Sequence, residues 1–340
     1  MTSPLQRALA AFQPRRTFPY DRVLNWFPGH MAKGLRVIQS KLSSTDLVIE
    51  VRDARIPVTS INPRFERLVG RKNRIVVYNK VDLADPTLTD LFRTALQKRQ
   101  KVNVSYHLAS TYDASNMRKL LELAGSKGAE LHSLTALVVG MPNVGKSSLI
   151  NALRNVGTRR GKAAKTGAQA GVTRSVASVV KVYEEPPIYL IDTPGVMPPH
   201  IPSPEAGIKI ALTGGMRDHL ADEQVIADYL LFQLNLHSRF EYASWAKTPD
   251  LMPTNDIHIL LDSIARRIGA IHTGGEPDHT AAARFWIKQY REGKLGRMTL
   301  DEVRLADTPV VETESRRQEK KRSKLEKRKQ ARKDGTVSVP

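Results

Sequence analysis

The most informative part of the sequence is Gly140-Met141-Pro142-Asn143-Val144-Gly145-Lys146-Ser147, from which the fold can be inferred. It matches the pattern G-x-x-x-x-G-K-S, follows the apolar run Ala136–Val139 and precedes a helix-forming run that starts at Ser148. A strand, a glycine-rich turn and a helix in this order form a phosphate-binding loop, whose backbone N–H groups and helix N-terminus face a phosphate. We expect Lys146 to contact the β- and γ-phosphates of a nucleoside triphosphate and Ser147 to bind magnesium. The predicted nucleotide contacts of this loop are Asn143, Val144, Gly145, Lys146, Ser147 and Ser148.

A second phosphate motif, D-T-P-G at 192–195, ends the apolar run Ile188–Ile191. In the D-x-x-G pattern, we expect Asp192 to hold magnesium, through water, and the Gly195 N–H to face the γ-phosphate. Thr173 is the predicted switch threonine that closes on magnesium and phosphate, with Thr166 as a competing candidate.

A third motif, Asn79-Lys80-Val81-Asp82, follows the apolar run Arg74–Tyr78 and identifies the base. In N-K-x-D, the Asp82 carboxylate accepts hydrogen bonds from guanine N1–H and N2–H, a donor pair that adenine does not present. Asn79 would contact the guanine edge, and the stem of Lys80 would stack over the ring. Ala109 and Ser110, after the run Val102–Leu108, are expected to support the guanine O6. The three motifs together predict a GTP/GDP site.

The order of these motifs is unusual, because N-K-x-D precedes the phosphate-binding loop. A site can still form, since strand pairing places residues in a sheet and neighbouring termini can be joined while the chain opens elsewhere. Strand-like and helix-like runs alternate through the region, which predicts an α/β fold: a circularly permuted, doubly wound, mostly parallel six-stranded sheet. The predicted strands are Asp46–Val51, Arg74–Tyr78, Val102–Leu108, Ala136–Val139, Val176–Val182 and Ile188–Ile191, with a hairpin between the last two.

Helical periodicity alone continues after Pro204. Helices are predicted over Asp222–Leu236 and Asp278–Gly293, and Asp256 can cap another one. Thr299-x-x-Glu302 is a candidate capping box for a short last helix. We therefore divide the chain into a presequence-like basic segment (1–20), a GTPase domain (21–204), a small all-helical domain (205–308) and a basic disordered tail (309–340). The D-x-x-G segment leads directly into the helical domain, so a switch movement could be transmitted to it.

Charge is the main feature of the composition. The 340 residues carry a formal net charge of +19 and include no cysteine. The absence of cysteine excludes disulfides, thiolate metal sites and a cysteine nucleophile. No apolar run reaches the ~18 residues that a membrane-spanning helix needs, so we expect no transmembrane segment. The stretch 315–333 contains eleven lysines and arginines against two acids. The overall charge favours a polyanionic partner, most simply nucleic acid, with an anionic membrane surface as the alternative. The basic stretch is expected to be a phosphate-binding arm, or else a solubilising tail or a receptor-read basic address.

The first twenty residues contain three arginines and no acid. An amphipathic, arginine-bearing and acid-poor start is typical of a mitochondrial presequence, although an ordinary basic terminus has the same composition.

Three features of the sequence together resemble the circularly permuted GTPases related to ribosome biogenesis GTPase A. They are the permuted motif order, the stretch Trp26-Phe27-Pro28-Gly29-His30-Met31-Ala32-Lys33, and the stretch Asp53-Ala54-Arg55-Ile56-Pro57. The presequence-like start is similar to that of their mitochondrial members. This resemblance implies GTP hydrolysis and binding to the mitochondrial large ribosomal subunit and its rRNA late in assembly. It also implies that the helical domain (205–308) is the RNA- or ribosome-binding part, and that the protein lies in the matrix, peripheral to the inner membrane. An RNA-tethered scaffold with incidental nucleotide binding is the alternative.

The residue after D-x-x-G is Val196, where many GTPases have a water-positioning glutamine. Hydrolysis is therefore intrinsically slow, or another group supplies this function. The resemblance implies His30 as the catalytic residue, whereas a purely packing role for its ring is the alternative. Asn143 resembles the asparagine of potassium-dependent GTPases, and it is equally well explained as a turn residue. We expect Asp53 and Arg55 to form a structural turn or salt bridge.

Overall fold

The computed structural model describes residues 11–21, 29–70, 72–97, 103–159, 164, 178–198, 201–216, 222–242 and 253–302, with only the backbone at 29–33, 66 and 97. Among these residues, no helix is both long enough and apolar enough to cross a lipid bilayer.

A six-stranded sheet forms the centre of the first half, in the order β3-β2-β1-β4-β6-β5. All neighbouring strands are parallel except β5, which is antiparallel to β6. The predicted doubly wound α/β sheet with a terminal hairpin is therefore confirmed. The strands are β1 (Leu47–Asp53), β2 (Asn73–Asn79), β3 (Val104–Leu108), β4 (Leu134–Gly140), β5 (Val179–Tyr183) and β6 (Ile188–Asp192).

Helices cover both faces of the sheet and make up the second half. In the described residues they are α1 (Gly29–Leu42), α2 (Pro63–Val69), α3 (Pro86–Gln97), α4 (Ala114–Lys127), α5 (Lys146–Thr158), α6 (Pro204–Leu212), α7 (Glu223–Leu236), α8 (Ile257–Ile268) and α9 (His279–Arg291). The sequence did not predict α1 or α2. The first has glycines at both Gly29 and Gly34, and the second has only 7 residues, too few for a clear helical period.

The alternation of side chains along β1 divides the core between two faces. Ile49 and Val51 lie in the cluster that includes residues of α4 and α5, whereas Val48 packs with residues of α1 and α2. Every residue of β1 is buried, as expected for a central parallel strand covered on both sides. The carboxyl ends of the parallel strands therefore meet at one edge, where loops are free to form a site.

The helical half is organised around α9, which packs on α7 and α8, while α6 packs on α7. The predicted cap Asp256 is present and accepts a hydrogen bond from a backbone N–H in the first turn of α8. Asp222 and Asp278 cap α7 and α9 in the same way. The capping role of Thr299 stays a prediction; its hydroxyl accepts a hydrogen bond from the Asp85 N–H at 3.1 Å. The helix predicted beyond it lies mainly outside the described residues.

Two terminal segments of the described chain pack on elements that are far from them in sequence. Residues 11–21 lie against α7, where the Phe18 ring contacts Tyr229 and Phe232. The segment after α9 returns to the sheet, where Leu300 N donates to Arg55 O at 2.8 Å. The structure thus places part of the predicted presequence-like segment against the helical half. The predicted domain boundaries stay predictions.

Candidate nucleotide-binding site

All the predicted motifs that the structure describes lie at the same edge of the sheet. N-K-x-D follows β2, Ala109-Ser110 follows β3, the phosphate-binding loop follows β4, and D-x-x-G starts at the last residue of β6. These strands are neighbours or next neighbours in the parallel part of the sheet. The shuffled order along the chain therefore does not separate the motifs in space.

The phosphate-binding loop has a backbone that only small or specially placed residues allow. Gly145 has a φ of +94°, and a Cβ there would lie 2.3 Å from Asn79 Nδ2. A Cβ at Gly140 would lie 2.3 Å from the Val51 carbonyl oxygen. These two glycines therefore cannot be replaced without moving a neighbour. The helix α5 begins directly at Lys146, so its N-terminal N–H groups face the loop and can bind an anion.

Lys146 lies within the loop and is almost fully buried. Its ammonium donates to the Met141 carbonyl at 2.8 Å. Burial lowers the pKa of Lys146 to about 8, and Lys80 acts in the same direction while Asp192 opposes the shift. A phosphate group beside this ammonium would favour its charged form.

The magnesium side of the site contains one hydroxyl and one carboxylate in contact. Ser147 Oγ donates to Asp192 Oδ2 at 2.8 Å, while Asp192 Oδ1 is buried and has no hydrogen-bond partner in the described residues. Burial raises the pKa of Asp192, although Ser147 and Lys146 oppose this. Magnesium prefers oxygen ligands, and an orphaned carboxylate oxygen beside a serine hydroxyl suits it. This donor set fits the predicted ion.

The D-x-x-G segment is anchored to the strand beside it. Thr193 Oγ1 donates to the Val138 carbonyl at 2.6 Å, and Val196 N donates to the Gly140 carbonyl at 3.1 Å. A Cβ at Gly195 would lie 2.7 Å from Pro142. Gly195 therefore lies directly against the phosphate-binding loop, as its predicted contact with a γ-phosphate requires.

Two hydrogen bonds join the base-reading loop to the phosphate-binding loop. Asn79 Nδ2 donates to the Val144 carbonyl at 2.9 Å, and Lys80 Nζ donates to the Asn143 carbonyl at 2.5 Å. The other amide atom of Asn79, Oδ1, is buried without a partner in the described residues. Val81 N donates to the Ala109 carbonyl at 3.2 Å, which places the Ala109-Ser110 loop beside N-K-x-D. Asp82 follows in the same turn and is half-buried.

Two predicted residues cannot be placed fully. Thr173 lies outside the described residues, as does the competing Thr166. His30 lies in the first turn of α1, but its side chain is outside the description. Ser148 lies in the first turn of α5 and is half-buried.

Sequence reasoning missed the position of Asp53 and Arg55 within this site. The expected salt bridge exists: Arg55 donates to Asp53 through Nε at 3.0 Å and Nη2 at 2.8 Å, and both residues are buried. Lys80 Nζ also lies 3.2 Å from Asp53 Oδ2. Burial alone would raise the pKa of Asp53, but the two cations hold it far below its usual range. Asp53 therefore orients the lysine of N-K-x-D. The sequence signal that could have indicated this role is the position of Asp53 just after the predicted strand Asp46–Val51.

The site also touches the helical half. Asn143 Nδ2 donates to the Gly214 carbonyl at 2.6 Å, and Arg55 Nη2 donates to the Thr213 carbonyl at 3.3 Å. The Arg55 guanidinium lies 5.4 Å from the centroid of the Tyr290 ring. Thr213-Gly214-Gly215 follows the end of α6 and also contacts the phosphate-binding loop. Gly214 has a φ of +83°, which directs this turn.

The chain is similar to known proteins in sequence and in fold. Residues 135–255 match a family model described as 50S ribosome-binding GTPase. The chain is 41% identical over 308 residues to mitochondrial ribosome-associated GTPase 1 of Mus musculus, covering 84% of this chain and 93% of that protein. It is 36% identical over 314 residues to mitochondrial GTPase 1 of Schizosaccharomyces pombe, covering 86% and 94%.

A solved structure supports the fold. GNP-bound YlqF from T. maritima superposes with a TM-score of 0.55 at 23% identity, covering 82% of this chain and all of that one (100%). Identity with the two mitochondrial proteins extends over nearly their whole length, and the N-K-x-D motif precedes the phosphate-binding loop in this chain. The chain therefore belongs to the mitochondrial GTPase 1 family of circularly permuted GTPases.

Proposed function

We propose that this GTPase is an assembly factor for the mitochondrial large ribosomal subunit, and that its nucleotide state controls binding to and release from the subunit and its rRNA. Association with the mitochondrial ribosome is supported by relatives that are named mitochondrial ribosome-associated GTPase 1. The formal net charge of +19 supports a polyanionic partner.

The main support for coupling between the nucleotide site and the helical half is the set of hydrogen bonds between residues of the site and the end of α6. Asn143 lies at the tip of the loop and donates to Gly214, while Arg55 links Asp53 to Thr213. Both contacts are directed at backbone carbonyls at the end of α6, so we expect a change of the loop on nucleotide exchange to shift this turn of the helical half.

The chemistry assigned to each group follows from its place. Backbone N–H groups at the start of α5 and the Lys146 ammonium bind the phosphates, and Asp82 reads guanine. We assign magnesium to Ser147 and Asp192, with Thr173 as the switch threonine. When bound, the ion neutralises charge on the β- and γ-phosphate oxygens.

Hydrolysis needs a group that orients water, and Val196 does not provide one. Its side chain is apolar and fully buried, and a Cβ on Gly34 of α1 would come within 2.9 Å of it. We propose that His30, in the first turn of α1, acts in place of glutamine. His30→Ala should lower the rate constant of hydrolysis at least tenfold while the GTP dissociation constant stays within twofold. Equal losses in both would indicate a packing role.

The central experiment measures GTP hydrolysis with and without purified mitochondrial large subunits, together with sedimentation of the protein with the subunits in GTP or GDP. We expect slow basal turnover, stimulation by subunits, and GTP-dependent sedimentation that Lys146→Ala removes. Turnover that subunits do not change would contradict the proposal. Normal subunit assembly in cells that contain only a hydrolysis-deficient, GTP-binding variant would favour the scaffold alternative.

Potassium is a separate part of the proposal and concerns Asn143. We assign it a monovalent cation that neutralises charge in the transition state. Replacing KCl by NaCl at equal ionic strength should slow basal hydrolysis without changing GTP affinity. Equal rates of hydrolysis in both salts would reject a monovalent cation at Asn143.

We propose the mitochondrial matrix as the location, with peripheral association to the inner membrane through basic residues. Protease protection in intact mitochondria tests the compartment. A salt wash of inner membranes should release the protein, because attraction between exposed charges is screened. Protein that stays on the membrane at 1 M salt would contradict a peripheral electrostatic contact.

A further inference from the structure

An open cleft of about 420 Å³ separates α1 from α2, on the face of the sheet opposite α4 and α5. Its floor is apolar, formed by the buried Leu35 and the half-buried Leu68. Its walls are polar and come from both helices. The lining residues are Leu35, Arg36 and Gln39 of α1, and Arg64, Arg67 and Leu68 of α2.

Three arginines converge on this cleft without an acid among its described lining side chains. Arg36 and Arg67 are exposed and Arg64 is half-buried. Within the described part of the chain, none of the three guanidiniums has a carboxylate partner. Some other exposed arginines of the described chain do have one: Arg93 pairs with Asp90, and Arg284 with Glu223. Three guanidiniums left together on two facing walls form a site for anions.

The shape of the cleft favours a chain of phosphates over a single small anion. The cationic groups lie on both walls of an open cleft, whereas a lone anion needs donors that surround one point. A guanidinium can pair with a phosphate in a bidentate way, and its flat face can stack on a base. The apolar floor accepts a ribose or base face, and Gln39 can hydrogen-bond a 2′-hydroxyl. RNA presents all of these groups together.

Both walls of the cleft contact the residue that follows D-x-x-G. Asn62, which caps α2, donates from Nδ2 to the Val196 carbonyl at 3.0 Å. On the other wall, Gly34 of α1 lies against the Val196 side chain. Ile38 and Phe65 belong to the same apolar cluster as Val196. A ligand that bridges α1 and α2 therefore fixes the two elements between which the end of the switch segment is held.

We infer that the α1–α2 cleft is a docking surface for the phosphate backbone of RNA, and that RNA bound there holds the Val196 segment and the start of α1 in place. The inference rests on the proposed function, since it names a contact between the GTPase half and RNA. It differs from the expectation that the helical half alone contacts RNA.

The test compares two charge-reversal variants of the full chain. R36E/R67E changes one exposed arginine on each wall. R118E/K119E makes the same change of charge at two exposed positions of α4, on the opposite face of the sheet. Thermal melts that match the wild type show that each variant is folded. Affinity is measured with a fluorescein-labelled transcript of mitochondrial large-subunit rRNA over 50–300 mM KCl, and with intact large subunits by sedimentation.

We expect R36E/R67E to bind the transcript on the order of tenfold more weakly than R118E/K119E at 150 mM salt, with a plot of log affinity against log salt that is shallower by about one to two units. Sedimentation with subunits should fall in parallel, and so should their stimulation of GTP hydrolysis.

The remaining outcomes overturn the inference in different ways. Equal binding by the two variants, with the wild type still bound to subunits, rejects the cleft and leaves the proposed function standing. Loss of subunit binding with unchanged transcript binding shows that the cleft accepts an acidic protein. A wild type that binds neither transcript nor subunits rejects the proposed function and the cleft together.

Discussion

Single residues at the strand ends decide how the base and the phosphates are held. Asp53 is the central one, because its buried carboxylate contacts both Arg55 and Lys80. Burying such charges is costly in itself, so the cluster is weak evidence for stability. Removing one partner, however, leaves the others buried without compensation. The cluster therefore fixes the geometry of N-K-x-D at the risk of a large loss when one member changes.

The Asp53→Asn substitution tests this role. We expect a loss of about 3–5 kcal/mol in the free energy of unfolding, since Arg55 would keep a buried charge without its partner. Chemical denaturation measures the loss. Asp90→Asn is the matched control, because the Asp90–Arg93 pair is exposed and should cost about 1 kcal/mol or less. Equal losses for the two variants would contradict the argument.

The same cluster gives stability a defined pH dependence. The pKa of Asp53 is lower in the folded protein than its usual value, so the folded state favours the charged carboxylate. Its contribution is complete above about pH 4 and decreases as the pH falls further, as the unfolded chain takes up the proton first. Denaturation curves between pH 3 and 7 should therefore have a shallower acid slope for Asp53→Asn than for the wild type.

Asp82 is the residue that should choose the base. In Asp82→Asn, an amide N–H₂ replaces one acceptor oxygen, so guanine N2–H faces a donor, while the 2-carbonyl of xanthine gains a partner. We expect GTP affinity to fall at least ~100-fold and XTP to become the preferred nucleotide. Competition with a fluorescent GTP analogue measures both. An unchanged preference for GTP over ATP and XTP would remove Asp82 from base recognition.

At the scale of elements, residues 11–21 behave as part of the helical half. Arg15 forms an ion pair with Asp228 of α7 at 2.5 Å, and its guanidinium lies 5.7 Å from the centroid of the Phe18 ring. Asn255 Nδ2 donates to the Gln13 carbonyl at 2.9 Å. If a presequence is removed from this chain, these contacts favour a cleavage point before Gln13.

Phe18→Ala measures the contribution of this segment. The ring is half-buried and packs on Tyr229 and Phe232, so its loss should cost about 1–3 kcal/mol of unfolding free energy, less than a fully buried phenylalanine. Arg16→Ala is the control, since Arg16 is exposed and should change the free energy by about 0.5 kcal/mol or less. No difference between the two would show that the segment does not stabilise the helical half.

For the whole molecule, the important feature is that the nucleotide site lies where the two halves meet. Arg291 of α9 donates to the Ala211 and Leu212 carbonyls at the end of α6. Asn143 donates to Gly214 from the other side. The end of α6 is thus held by groups from both halves, and a change on either side reaches the other.

Hydrogen–deuterium exchange tests this coupling. A non-hydrolysable GTP analogue should slow exchange in the phosphate-binding loop and also in α6 and the turn 213–215, because the loop contacts that turn. In Asn143→Ala, protection of the loop should persist while the added protection of α6 falls. Protection of α6 that is equal in both proteins would contradict transmission through this contact.

The guanine-nucleotide motifs and the six-stranded sheet could be predicted from the amino-acid sequence. Strong local patterns signal each part: glycines where a Cβ would collide, apolar runs for buried strands, and polar residues directly after them. Parallel strands then gather these residues at one edge whatever their order along the chain. Three further features become visible when the chain is folded. They are the contacts of Asp53 with Lys80 and of Arg55 with Thr213, the packing of residues 11–21 on α7, and the arginine cleft between α1 and α2. Those features arise from contacts between segments far apart in the chain, such as Arg15 with Asp228 or Asn62 with Val196, and no local pattern specifies such a pairing.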